Sequence, residues 1–168
     1  MYRETFEAMR KMALDIVPAQ IGLQPSQDLP HVFGAVMDSG IPEGVFTLVA
    51  LADGTTSLYT SSGGGVIGGG GHESVVRETK AFLAALERQL NDLEDDSRVD
   101  EPPPERVVIY ALTYSGRKRA EGAVEDFGYN RHRLSPVFHA AHSVITELRR
   151  TSESPRKDPE QPPPRPDQ

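Results

Sequence analysis

The sequence predicts an α/β protein of the α+β type: a central, mainly antiparallel sheet of about five strands, helices on both faces, and a disordered proline-rich C-terminal tail. Three observations carry this. VFTLVALA at 45–52 and VVIYALTY at 107–114 are apolar at nearly every position, as strands covered on both faces are. Three other segments repeat apolar residues at helical spacing. Short turn signals, and not long crossovers, join the strand-like runs, which favours antiparallel pairing.

In chain order, residues 2–17 place Tyr2, Phe6, Met9, Ala13, Ile16 and Val17 on one helical stripe, with Arg3, Glu7, Arg10 and Lys11 elsewhere. Pro18 ends that helix, because proline disfavours the helical region for the residue before it. A connector follows. His31–Met37 begins a meander, DSGIPEG reads as a turn, and Asp53-Gly54 predicts a hairpin between 45–52 and the alternating run Thr55–Thr60. Val66 and Ile67 are expected to continue that last strand across a bulge. Residues 73–93 form the clearest helix, with Val75, Val76, Thr79, Phe82, Leu83, Leu86, Leu90 and Leu93 along one stripe.

EDDSRVDEPPPE, 94–105, reads as a linker or exposed loop, since like charges repel and three prolines stiffen it. After the strand at 107–114, Ser115-Gly116 turns the chain and 117–127 returns as a polar edge strand. Ser135 as N-cap and Pro136 at the first helical position open the last helix. The middle helix is expected on one face of the sheet, the first and last on the other. Residues 1–150 form one domain; 151–168 cannot bury enough apolar surface to order.

The chain has 168 residues, a net charge of −7 and no cysteine, which excludes disulfides, thiolate metal sites and cysteine nucleophiles. No signal-peptide pattern opens it and no apolar run could span a bilayer, so a cytoplasmic, non-membrane protein is expected. Its acidity argues against nucleic-acid binding. Residues 106–150 nevertheless carry eight basic against four acidic side chains.

A first helix, a meander with a DG hairpin (VFTLVALADGTTSLY, 45–59), a long amphipathic helix (73–93), further strands and a closing helix resemble the roadblock/profilin-like small regulatory domains. The resemblance spans residues 2–150 and rests on element order. It implies a non-catalytic module that dimerises or docks through its sheet edge and helices.

Seven of the chain's 15 glycines fall between positions 63 and 71. Ser61, Ser62, Gly63, Gly64, Gly65, Gly69, Gly70, Gly71, His72 and Glu73 are the candidate anion or ligand site, because bare backbone N–H groups at a helix N-terminus suit an anion. The Walker spacing is absent and the GxGxxG match lacks a Rossmann context. Close packing of a bulged strand is therefore the preferred explanation, with His72-Glu73 as a capping segment. Arg117, Lys118, Arg119, Arg131 and Arg133 are candidates for a basic surface. His132, His139 and His142 could approach a metal, but no carboxylate falls at matching spacing and no metal or other cofactor is expected. Ser61, Ser62 and Ser115 lack a nucleophile motif. Pro162–Pro166 resembles a polyproline II ligand.

The expected function is thus a non-enzymatic interaction module with a protein partner or a second copy of itself. The alternative is a small-ligand or nucleotide-binding protein, even an enzyme, using the glycine-rich loop.

Overall fold

Val32–Ile41 forms β1, the centre of the molecule, and the apolar residues on both sides of it explain why it is roofed twice. A computed structural model describes residues 2–153, the side-chain environments of Ile67, Gly69 and Glu153 excepted. Gly44–Leu51 (β2), Thr56–Thr60 (β3) and Gly65–Ile67 (β4) lie to one side of β1. Arg106–Thr113 (β6), Gly116–Ala123 (β7) and Glu94–Asp95 (β5) lie to the other. The sheet order is β4-β3-β2-β1-β6-β7-β5 and every pair is antiparallel. Among the described residues the sheet thus has seven strands, where the sequence suggests about five. The extra ones are the two short edges, whose few residues carry no period of their own.

The two apolar ribbons share one layer and are covered above and below. They are not neighbours, because β1 runs between them. Alternation sorts their side chains. Met37, Leu48 and Ile109 face α2 (Glu73–Arg88) and α4 (Ser135–Glu153), where they meet Phe82, Leu86, Val137 and Leu148. Val36, Val49, Tyr110 and Leu112 face α1 (Tyr2–Leu14) and its Phe6, Ala13 and Leu14.

Several expectations need correction. The last helix packs beside α2 on the same face, not beside α1. A helical stripe says that one side is buried, but not which face of the sheet receives it. Asp38–Ile41 continue β1, so only Pro42 and Glu43 turn. Val66 and Ile67 belong to a separate strand that folds back on β3. The middle helix ends at Arg88, and a 3-10 turn at Leu90–Asp92 follows it. The edge strand stops at Ala123 and gives way to α3, Val124–Gly128. Thr151–Glu153 extend α4, while the rest of the expected tail, with its PPPRP motif, lies outside the described residues.

The expected linker is a strap. After β5 pairs with β7, residues 96–105 cross the α1 face, Pro102 is buried, and the Glu105 N–H donates to the Gly40 carbonyl at 3.1 Å. A β-carbon on Gly40 would fall on the Pro103 carbonyl, so glycine is required where the strap crosses the strand. The repulsion that marked this stretch as free is answered by Arg3, which reaches Glu101 at 2.6 Å, and by Arg10.

Candidate functional site

The glycine run closes one sheet edge. Ser61 is committed to β2: its N–H donates to the Val45 carbonyl and its hydroxyl accepts from the Val45 N–H, both at 2.9 Å. Ser62 is exposed. Gly63 and Gly64 lie in the reversal between β3 and β4, and the Tyr2 ring covers Gly63. Gly65 has φ +155°, and its missing side chain lets it lie on the Leu58 carbonyl and Tyr59. Gly69, Gly70 and Gly71 form one 3-10 turn, with Gly70 pressed against Gly54. His72 is the α2 N-cap without a side-chain cap bond, and both it and Glu73 are exposed. Close approach accounts for Gly65 and Gly70, whereas Gly64, Gly68 and Gly71 have open space where a β-carbon would stand.

The basic candidates are divided. Arg117 caps the end of α1, donating to the Leu14 carbonyl at 2.9 Å. Lys118 pairs with Asp95 at 3.1 Å. Arg119, Arg131 and Arg133 meet in a cleft of about 450 Å³ beside the outer edge of β7. Asp92, Glu94, Asp96 and Arg98 come from the other wall, and Glu121 and His132 complete it. The surface is therefore mixed, with four carboxylates beside four arginines, and no basic patch forms there.

Within the cleft, Arg98 holds Asp96 at 2.7 Å, and this hydrogen bond pulls the Asp96 carboxyl down to about 2. Arg119 is 5% exposed along its side chain, lies 5.9 Å from the Tyr110 ring centre and meets Glu121 at 3.3 Å; its Nε has no hydrogen-bond partner. Arg131 pairs with Glu125 and Asp126, each at 3.2 Å. Arg133 comes only within 3.8 Å of Asp92, beyond hydrogen-bond range. His132 stacks on Phe127, accepts from the Leu134 N–H through Nδ1 and reaches the Glu121 carbonyl through Nε2.

The three histidines are separately engaged. His139 bonds Asn130 at 2.9 Å, and His142 packs on the Phe138 ring, where burial pushes its pKa down. Among the described residues no three acidic or imidazole side chains converge as metal ligands, and no helix is long and apolar enough to cross a membrane.

Two features escape the sequence reading. The first is a buried polar clip under α1. Arg10 donates through Nε and Nη2 to Asp38 at 3.0 and 2.7 Å, to the Val99 carbonyl at 2.7 Å and to the Tyr110 hydroxyl at 3.2 Å. The Thr47 hydroxyl donates to the other Asp38 oxygen at 2.6 Å. Burial pushes the Asp38 carboxyl above the usual range, against the pull of Arg10 and Thr47, and pushes Tyr59 up as well. The expectation that set Arg10 apart from the apolar stripe is corrected here: Arg10 is four residues from Phe6 and three from Ala13, on the buried side of α1. The second is a groove of about 350 Å³ at the end of α1, walled by Met12, Ile16, Val17 and Ile21 with Lys11, Asp15 and Gln20 at its rim. Met12 is 72% exposed, Val17 48% and Ile21 43%.

No family model, curated protein or solved structure matches this chain. The clip ties a helix to a sheet, the groove offers apolar area, and the cleft offers paired charges.

Proposed function

We propose that the protein is a non-catalytic interaction module that self-associates through the groove at the end of α1. The carrying observation is the concentration of Met12, Val17 and Ile21, three of the six exposed large apolar side chains among the described residues, in one place. Scattered exposed apolar residues need no partner; a contiguous group with a polar rim fits one. A second copy is favoured by charge. Lys11 and Asp15, one helical turn apart on the rim and opposite in sign, pair with each other at 2.6 Å within one copy, a pairing that two copies can exchange. A two-fold axis that lays α1 antiparallel against its copy sets each Lys11 opposite the other Asp15, the self-complementarity an isologous interface needs. The resemblance to roadblock/profilin-like domains points the same way. Anion binding at the glycine run is the weaker reading, because Gly65 and Gly70 have packing reasons to be glycine.

Sedimentation equilibrium tests this. A dimer is expected at about 100 µM protein, Met12→Glu should yield a monomer, and Lys11→Glu combined with Asp15→Lys should restore association lost in either single variant. A wild-type chain that stays monomeric at that concentration ends the proposal.

A further inference from the structure

We propose that the cleft beside β7 binds a small zwitterion, a molecule of the α-amino-acid or dipeptide class that carries one ammonium and one carboxylate. The first reason is charge balance. Four guanidinium groups and four carboxylates line the cleft, and Ala120 is the one apolar residue lining it. A ligand of one sign would engage one set and face like charge in the other at short range, which opposes binding. A ligand with both signs leaves neither stranded.

The second reason is that the pairing within the cleft is unfinished on both sides. Asp96 and Arg98 are matched at 2.7 Å, but Arg133 is 3.8 Å from Asp92 and its side chain is 86% exposed. Glu94 is exposed and has no ion-pair partner among the described residues. Arg119 is 95% removed from solvent; its guanidinium interacts with the Tyr110 hydroxyl and meets Glu121 at 3.3 Å, yet its Nε has no partner. Buried polar groups are ordinarily satisfied. The cleft therefore holds a spare cationic fork at Arg133, a spare carboxylate at Glu94 and a buried guanidinium nitrogen without a partner at Arg119.

The third reason is that the walls are held before any ligand arrives. Arg119 sits in strand register opposite Tyr110, Arg98 is locked by Asp96, and His132 is fixed by Phe127, Leu134 and Glu121. Walls that need no ordering lower the entropic cost of binding. A volume of about 450 Å³ is within the range of small-ligand sites. The Arg133 fork would take the carboxylate, as planar guanidinium groups do, and Glu94 the ammonium.

Scanning fluorimetry on the full chain, with glycine, glutamate, arginine, glycylglycine and glutamyl-lysine at about 10 mM, reads this directly. Succinate and putrescine serve as single-sign controls. At least one zwitterion should raise the unfolding midpoint by about 5 °C, with smaller responses to both controls. Calorimetric titration of that ligand should weaken tenfold or more in Glu94→Gln and in Arg133→Gln. Both changes are on exposed side chains and should leave the ligand-free midpoint within about 1 °C of wild type. No shift from any zwitterion, an equal shift from succinate or putrescine, or an affinity indifferent to either variant overturns the proposal.

Discussion

Arg10 and Asp38 illustrate how a residue's surroundings set its energetic role. A paired charge in the interior is not in itself a large stabiliser, but removing one partner strands the other. Arg10→Met is expected to destabilise by about 3–5 kcal/mol in urea denaturation, and adding Asp38→Leu should recover much of that loss. Two single effects that simply add would show that the pair is not coupled. Gly65 is a second case, since a side chain there meets both a φ of +155° and the Leu58 carbonyl. Gly65→Ala should cost about 1–3 kcal/mol. His142 supplies a pH dependence. Its pKa is lowered first by burial, then by His139 and Arg149, so the unfolded chain binds more protons as pH falls below the ordinary value of 6.5. This contribution to stability is present above that pH and is lost in acid. The midpoint should fall between pH 7 and 5, and less steeply in His142→Gln.

At the level of elements, the strap at 96–105 departs furthest from expectation. Its acids and prolines read as a free linker because local repulsion is all that sequence neighbours can report. The answering charges, Arg3 and Arg10, are some ninety residues away in sequence. Gly40→Ala should push the strap off β1 and cost about 1–3 kcal/mol, as overpacking does. Gly128→Ala has open space around it and should be neutral or slightly stabilising. Chemical denaturation of the two variants separates a steric need from a general intolerance of side chains. The helix positions follow the same logic. Leu134, Val137, Phe138, Ala141, Ile145 and Leu148 recur at helical spacing, and all are buried. Their partner was not legible, because α2 and the opposite face of the sheet both present apolar surfaces that a stripe of that width can cover.

For the whole molecule, the seven-stranded layer leaves one face to α1 and the strap, the other to α2, α3 and α4. The thinner covering carries the exposed groove. If copies associate there, unfolding is linked to protein concentration. The thermal midpoint should then rise as the chain is concentrated from about 1 to 100 µM, and the rise should vanish in Ile21→Glu. The class of fold, the doubly covered ribbons, the DG hairpin and the three long helices are all written in local patterns of the chain. Those features depend on periods of two and 3.6 and on turn residues, which neighbours along the chain dictate. Only the tertiary structure decided that β1 separates the ribbons, that α4 joins α2, that Arg10 is buried on Asp38, and that opposed charges from four segments share one cleft. These are relations between residues far apart in the chain, settled by which surfaces meet, and no local pattern encodes that choice.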